Sequence, residues 1–324
     1  MPPQPASVDV VPRLGISSCL LGEEVRYNGG HMKDDFLLNT LGRFVEWVMV
    51  CPEVELGLGT PRESLRLVGA PSGPRLVAPK SGTDYTVSMR AWAKGRLVEL
   101  EQDDLDGYVL KKESPSCGLM RVKVYDKNKV PARTGVGAYA QALVDHYPLL
   151  PIEEEGRLRD PTLRENFIER VFAYHRWKRV VAANRTPAGL IAFHTAHKLT
   201  LMSHGPQAQT ELGRIVAAPD KRRIDATFEK YATLFMEVLS MRATRRKHTN
   251  TLQHLAGYLK RELDKDDKEE LQQSLDQYRG GLVPLIVPIT LFRHHIRRCD
   301  VPDWVHAQVY LNPYPHELML RNDV

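Results

Sequence analysis

Three cysteines in the first half of the chain combine a residue type and a placement that suit metal chemistry. Cys19, Cys51 and Cys117 are far apart in the sequence, and each lies in a loop with glycine, proline or small polar neighbours. Thiolates bind zinc ions and iron–sulfur clusters, whereas a buried cysteine without such a role packs as a small hydrophobic residue. The loop surroundings favour metal or cluster binding over inert burial. The fourth cysteine, Cys299, is distant in the sequence and is predicted to be a free thiol.

The segments that precede these cysteines indicate how they could meet. Apolar runs predict strands at residues 14–17, 47–50 and 107–110, and each cysteine follows one of these runs directly or after a short loop. Ligands of open α/β sheets bind outside the carboxyl ends of the strands. We therefore expect the three thiols to lie together at one edge of a sheet.

The order of the predicted elements indicates an α/β domain followed by an all-α domain. Further strands are predicted at residues 121–125 and 149–152, and helical patterns at 34–46 and 136–146 alternate with the strands. Such alternation is typical of a mostly parallel, Rossmann-like sheet. In the second half helical patterns dominate, at residues 161–184, 188–203, 206–217, 222–246, 248–263 and 265–279.

The predicted domain boundary lies near residues 153–160, in an acidic linker. Residues 1–11 are predicted to be a disordered lead-in, residues 12–155 to form the α/β domain and residues 156–324 to form the helical domain. No stretch approaches the ~20 apolar residues of a membrane helix, and the N-terminus shows no secretory signal pattern. The protein is therefore predicted to be cytoplasmic, with its cysteines reduced.

The positive charge of the chain is concentrated in the helical half. Residues 1–150 hold 18 Lys and Arg against 18 Asp and Glu, whereas residues 170–248 hold 15 against 5. Such a surplus favours a polyanionic partner, although a solvated basic helical surface gives the same pattern. The candidate nucleic-acid contacts are Arg176, Lys178, Arg179, Lys198, Arg222, Arg223, Arg245, Arg246 and Lys247.

Two other patterns in this half are open to an RNA interpretation and a packing interpretation. In the segment 174–179 two aromatic residues alternate with basic ones. This suits stacking on unpaired bases, or an amphipathic helix with its aromatic residues in the core. His194, His197 and His204 have no Cys or carboxylate beside them, which favours RNA contact or packing over a metal site.

Three sequence blocks resemble the signature of the thiouracil desulfidase family. Over residues 12–155 they read, in family order, Ser17-Ser-Cys19-Leu-Leu-Gly22, Cys51-Pro-Glu53-Val-Glu-Leu-Gly57 and Ser114-Pro-Ser-Cys117-Gly118. The resemblance implies a [4Fe–4S] cluster held by Cys19, Cys51 and Cys117, with one iron free to take the sulfur of a thiocarbonyl group. It implies a non-redox replacement of sulfur by oxygen that releases sulfide. Asn28 stands where family members often have aspartate, which removes one charge near the site.

Two polar residues beside the cysteines suit that chemistry. Glu53, two residues after Cys51, could act as general base or acid; its alternative is a solvated loop carboxylate. Ser114, three residues before Cys117, could donate a hydrogen bond to substrate or water, or it could only cap the turn.

The helical half also carries a resemblance, over residues 185–305 and chiefly in the segment 193–204. It resembles the helical domain that often follows a desulfidase domain. The fusion is similar to the tRNA 4-thiouridine desulfidases, which implies thiolated tRNA as the substrate and a tRNA-binding role for the helical domain. The expected function is conversion of 4-thiouridine in tRNA to uridine. The alternatives are desulfidation of free 2-thiouracil or thiolated nucleosides, and a non-enzymatic Fe–S protein that binds nucleic acid.

Overall fold

The structure, a computed structural model, describes residues 11–183, 185–220 and 222–324. Their fold divides into two units between Arg159 and Asp160. The predicted lead-in lies outside the described residues, apart from Val11. No helix in the described part of the chain has the length and apolarity needed to cross a membrane.

Strands close to those predicted form a parallel sheet in the first unit. The strands of this unit are β1 Arg13–Ser17, β2 Glu46–Val50, β3 Arg66–Val68, β4 Arg75–Val77, β5 Gly107–Leu110, β6 Val122–Tyr125, β7 Pro131–Gly135 and β8 Ile152–Glu154. The parallel sheet has the order β2-β1-β5-β8. Gly15 in β1 allows close packing across this sheet, because a Cβ there would lie 2.2 Å from ring carbons of Tyr108. The predicted α/β class is confirmed.

A second sheet, with the order β4-β3-β6-β7, is absent from the sequence predictions. β3 and β6 are parallel, and each pairs antiparallel with its outer neighbour. The strand predicted at residues 121–125 exists as β6, but it belongs to this sheet. The other three strands are short or polar, so no apolar run marks them.

The helices of the first unit are α1 Pro52–Glu55, α2 Thr86–Leu100 and α3 Ala138–His146. α3 confirms the helix predicted at 136–146, and α2 was not predicted. The helix predicted at 34–46 is wrong, because this segment holds only a π-helical turn, Phe36–Thr40, and a 3₁₀ turn, Leu41–Arg43. Glu46 already pairs with β1, so the chain must leave helical geometry before that residue.

The second unit is helical, as predicted. Its helices are α4 Pro161–Ala183, α5 Pro187–Ala196, α6 Lys198–His204, α7 Pro206–Ala217, α8 Ile224–Ser240, α9 Arg245–Leu259, α10 Lys265–Gly280, α11 Ile286–Arg298 and α12 Asp303–His306. The single helix predicted at 188–203 is two helices that separate at His197. The helix predicted at 222–246 ends at Ser240, and the Thr244 hydroxyl starts α9 by accepting from the N–H of Lys247.

Aromatic side chains fill part of the core of this unit. Trp177 is 5% exposed and packs against Phe193, Phe228 and Tyr231, with ring centroids 5.1 to 5.5 Å from its own. Stacking of Trp177 on RNA bases is therefore excluded in this fold. The packing interpretation of the segment 174–179 is the correct one for this residue.

Candidate active site

Three cysteine side chains line one cavity at the carboxyl edge of the parallel sheet. Cys19 lies in the 3₁₀ turn after β1, Cys51 directly follows β2 and is the N-cap of α1, and Cys117 lies in the loop after β5. All three border a cavity of about 370 Å³. They meet because β1 lies between β2 and β5. The structure thus brings these residues together where the strand order predicts.

The three cysteine sulfur atoms do not all lie within 4.8 Å of one another. Among the described residues, one group of three possible metal ligands has all its ligand atoms within 4.8 Å of one another, and this group lies in the helical unit. The cysteine sulfurs remain close enough for the charge of each thiolate to act on the others.

Burial raises the pKa of all three thiols. The pKa of Cys19 is raised to about 11, although the charge of Lys111 opposes the rise. Burial likewise raises the pKa of Cys51. It raises that of Cys117 further, against a hydrogen bond from the Ser17 hydroxyl. Such thiols keep their protons at neutral pH until a metal binds the thiolate and displaces them.

The loop that carries Cys117 is held by its own hydrogen bonds and by the N-terminus of α3. The Ser114 Oγ accepts from the backbone N–H groups of Ser116 and Cys117, at 3.2 and 3.1 Å. The Ser116 carbonyl oxygen accepts from the N–H of Tyr139, in the first turn of α3. Gly137 makes this approach possible, because a Cβ there would lie 2.4 Å from that oxygen. Ser114 therefore caps the turn, and its hydroxyl hydrogen takes no part in these bonds.

The predicted acidic linker is in fact buried, and it braces the same loop. The glutamates at residues 153–155 are 5 to 7% exposed. The Glu154 carboxylate accepts from the N–H of Leu119 at 2.8 Å. Glu155 lies 2.5 Å from the Nζ of Lys111, which also lines the cavity. An acidic run is usually solvated, so the sequence alone gave no signal for this role.

Glu53 lines the cavity with both carboxylate oxygens engaged. Its Oε1 accepts from the Ser116 hydroxyl at 2.8 Å. Its Oε2 accepts from Arg62, whose Nε lies at 2.9 Å and Nη2 at 2.7 Å. Because each carboxylate oxygen has two lone pairs, Glu53 is held in place and can still accept a proton. The sequence does not predict this pairing with Arg62.

Three other residues with side chains suited to binding or catalysis do not line this cavity. His31 and Asn28 are exposed and do not line it. No imidazole from the described residues joins the cysteines there, which speaks against a zinc site with a histidine ligand. Cys299 lies in the helical unit, directly after α11.

The candidate nucleic-acid contacts differ in exposure, and several have partners within the helical unit, among them Arg223 with Asp220 and Arg245 over the Tyr278 ring. Arg176 and Lys247 donate to backbone carbonyl groups of the helical unit, Lys247 at 2.6 Å. Lys178 and Lys198 lie over aromatic rings. Arg176 and Lys247 therefore have structural partners, and their role as nucleic-acid contacts stays a prediction. The exposed members of the set are Arg179, Arg222, Arg223, Arg245 and Arg246.

Two of the three clustered histidines serve packing in the helical unit. His197 is buried, and its Nδ1 lies 2.8 Å from the carbonyl oxygen of Phe193. His204 is buried, with its Nε2 2.8 Å from the Glu169 carboxylate. The packing interpretation is correct for both. His194 is half-buried against the Tyr231 hydroxyl, 3.1 Å from its Nδ1.

Comparison with known proteins assigns the two halves to two families. The family model for 2-thiouracil desulfurase matches residues 14–155. A family of unknown function, DUF1722, matches residues 198–315. The first match spans all three cysteines, Glu53 and the bracing glutamates.

Individual relatives extend these matches. The chain is 30% identical over 155 residues to the uncharacterized protein YbgA of Escherichia coli strain K12, across 47% of this chain and 90% of YbgA. It is 33% identical over 108 residues to the uncharacterized protein YbbK of Bacillus subtilis strain 168, across 32% of this chain and 71% of YbbK. A solved structure described as a [4Fe-4S]-dependent thiouracil desulfidase, TudS, is 28% identical, with a TM-score of 0.37 over 46% of this chain and 94% of TudS.

The family match and the cavity concern the same residues. The matched segment holds the parallel sheet, the three cysteines and the Glu53 carboxylate. The chain therefore belongs to the 2-thiouracil desulfurase family.

Proposed function

We propose that the chain removes sulfur from 4-thiouridine in tRNA and leaves uridine. Family membership supports desulfidation of a thiolated uracil ring. The observation that carries the proposal is the cavity in which three thiols and a fixed carboxylate border the same space. The exposed arginines of the helical unit support a polyanionic substrate.

The cofactor in this proposal is a [4Fe–4S] cluster with Cys19, Cys51 and Cys117 as ligands. The donor set fits, because three thiols border one cavity and thiolates are the usual ligands of Fe–S clusters. When bound, such a cluster supplies a thiophilic Lewis acid for the substrate's sulfur at its fourth iron. The charges of Lys111 and Arg26 act on Cys19 and favour an anionic group in the cavity.

In this proposal the side chains of the cavity position a water molecule and transfer its protons. The reaction exchanges the thiocarbonyl sulfur for the oxygen of one water and releases hydrogen sulfide, with no electron transfer. Glu53 accepts a proton from the water as its oxygen adds to the carbon and returns it to the sulfur. The proton of the hydroxyl group left on the carbon then passes to the sulfur as the carbon–sulfur bond breaks, so that the carbonyl forms and H₂S leaves. Arg62 and Ser116 keep the carboxylate in place, and Ser114 can donate its hydroxyl hydrogen to the water or substrate.

The tRNA substrate is supported by the charge of the helical half. Residues 170–248 carry 15 Lys and Arg against 5 Asp and Glu, and five of the nine candidate contacts are exposed. Exposed cations of this kind bind phosphates through a salt-dependent, sequence-independent attraction. A free base would need no such surface.

Desulfidation of free 2-thiouracil is the second candidate. The description of the matching family names that base, and a cavity of about 370 Å³ is large enough for a single small ligand. Under this alternative the helical unit would have a function other than tRNA binding.

An anaerobic comparison of substrates tests the proposal. The protein is reconstituted with iron and sulfide and incubated with 4-thiouridine-bearing tRNA or with free 2-thiouracil, and mass spectrometry follows the loss of sulfur. We expect conversion of the tRNA nucleoside. Conversion of the free base alone would retain the chemistry and reject tRNA.

Two cysteine variants serve as controls. Cys117→Ser should stay folded and lose conversion, whereas Cys299→Ser should keep it. If the intact cluster protein converts neither substrate, the desulfidase proposal is wrong and a non-enzymatic Fe–S protein becomes the better interpretation. If Cys117→Ser remains active, Cys117 is not a required ligand and the proposed three-cysteine cluster is wrong.

A further inference from the structure

We propose that the helical unit carries a binding site for a divalent ion of the zinc type, formed by Asp267, Glu270 and His295. One ligand atom of each residue lies within 4.8 Å of those of the other two. Asp267 and Glu270 are three residues apart on α10 and so share a helix face. His295 lies on α11, which packs against α10. None of the three lines the cysteine cavity.

The buried histidine distinguishes this cluster from an ordinary group of surface carboxylates. The His295 side chain is 5% exposed, and its Nε2 is buried without a hydrogen-bond partner in the described part of the chain. Its Nδ1 lies 3.9 Å from the Asp267 Oδ2, which is beyond hydrogen-bond distance. A buried imidazole nitrogen without a partner is unfavourable, and coordination of a metal ion at that nitrogen would supply one.

The backbone that carries these ligands is fixed by the core of the unit. Leu271 directly follows Glu270, and Ile296 directly follows His295, and both apolar side chains are 3% exposed. Ligands on packed helices are positioned before the ion binds. Asp267 is half-buried and Glu270 is exposed, so the remaining coordination positions of the ion would reach solvent.

The donor set indicates which ions would bind. Magnesium and calcium prefer sites made of oxygen ligands alone, whereas zinc and other late first-row ions accept an imidazole nitrogen together with carboxylate oxygens. One imidazole and two carboxylates therefore suit Zn²⁺, with Co²⁺ as a spectroscopic substitute.

Calorimetric titration of the full-length protein with its cluster assembled tests the site. Under anaerobic conditions we expect one binding event for Zn²⁺, a visible absorption band with Co²⁺, and no comparable affinity for Mg²⁺. His295→Gln should weaken Zn²⁺ binding by about 100-fold or more, because loss of even an outer-sphere partner costs 10–100-fold. Glu269→Gln, which removes a carboxylate charge from α10 beside Glu270 but outside the proposed site, should keep wild-type affinity.

A second variant keeps the test decisive if His295→Gln fails to fold. Glu270→Gln changes an exposed side chain and should also weaken Zn²⁺ binding and remove the Co²⁺ band. Equal Zn²⁺ affinities in the wild type, Glu270→Gln and Glu269→Gln would overturn the proposal, as would Mg²⁺ binding as tight as Zn²⁺ binding.

Discussion

Glu53 divides its two carboxylate oxygens between an arginine and a serine, and this division shapes what the residue can do. The two nitrogens of Arg62 within 2.9 Å of Oε2 fix the carboxylate by charge-assisted hydrogen bonds. The hydroxyl of Ser116 binds Oε1, and Ser116 is the neighbour of Cys117. The same contact therefore ties the proposed base to the loop of a proposed cluster ligand.

Replacement of Glu53 by glutamine should remove the proton acceptor and leave the fold and the cluster ligands in place. We expect the rate of sulfide release to fall by about 10²–10⁴-fold, which is the usual contribution of a general base. Single-turnover measurement of sulfide gives the rate, and iron analysis shows whether the cluster is retained. The matched control is Glu113→Gln, since Glu113 also borders the cavity but pairs at its exposed side with Arg133. Equal rates for the two variants would exclude Glu53 as the base.

At the scale of elements, β8 contributes more to the site than its length suggests. It follows β5 in the parallel sheet, and its last residue, Glu154, turns its carboxylate to the N–H groups of Leu119 and Met120. Burial raises the pKa of Glu154, against these hydrogen bonds. A strand at the edge of the sheet thereby fixes the end of the loop that carries Cys117.

Glu154→Ala should therefore weaken both stability and cluster retention. It leaves two backbone N–H groups without their acceptor, which costs about 1–3 kcal/mol for a buried group. Urea unfolding of the apoprotein measures the first effect, and the rate of iron loss to a chelator measures the second. Glu153→Ala is the control, because the Glu153 carboxylate binds Arg157 and the backbone N–H of Glu154, and neither bond reaches the Cys117 loop. Iron loss at the wild-type rate from Glu154→Ala would show that the brace does not support the cluster site.

The sequence could predict the elements whose signal is local. The apolar runs before Cys19 and Cys51 marked their strands, and the strand order then placed both thiols at one edge. It could not predict the burial of residues 153–155, because glutamates are buried only where donors from distant parts of the chain form hydrogen bonds with their carboxylates. The pairing of Arg62 with Glu53 was missed for the same reason, since no local pattern encodes it. The break at His197 was missed because tertiary packing decides it.

Buried histidines at the end of α5 and on α9 make the stability of the helical unit depend on pH. Burial lowers the pKa of His197 and of His248 to about 3, while an unfolded histidine titrates near 6.5. Between these values the unfolded chain binds protons that the folded chain does not, so stability falls as pH falls. His204 has the opposite shift, because Glu169 raises its pKa despite burial; its stabilising effect is complete below pH 6.5 and is lost as pH rises above it.

We therefore expect the stability to decrease from pH 6.5 to pH 5, by at most about 1.4 kcal/mol per pH unit for each such histidine. Urea unfolding followed by far-ultraviolet circular dichroism at several pH values gives the slope. His248→Gln removes one titrating group and should make the slope shallower. An unchanged slope in this variant would mean that His248 is not kept neutral in the folded state.

At the scale of the whole molecule, chemistry and charge are assigned to different parts of the chain. The three cavity cysteines, Glu53 and the bracing glutamates all lie within residues 1–155, where positive and negative side chains nearly balance. The excess of positive charge lies in the helical half. A substrate that presents both a thiolated base and a phosphate backbone would use both parts, whereas a free base would use only the first.

Removal of two exposed cations from the helical unit should weaken tRNA binding without a change in the chemistry. In the double variant Arg179→Gln and Arg246→Gln, we expect the slope of log affinity against log salt to become shallower by about 1.5, because each phosphate contact contributes about 0.7–0.9. Desulfidation of the free 4-thiouridine nucleoside should keep its rate. The control is Lys265→Gln with Lys268→Gln, which removes two exposed charges from α10 outside the basic segment. If both double variants shift the slope equally, the attraction is one of net charge alone and the basic segment is not the tRNA surface. A loss confined to the arginine variant would assign tRNA recognition to the helical half and thiocarbonyl chemistry to the cysteine cavity.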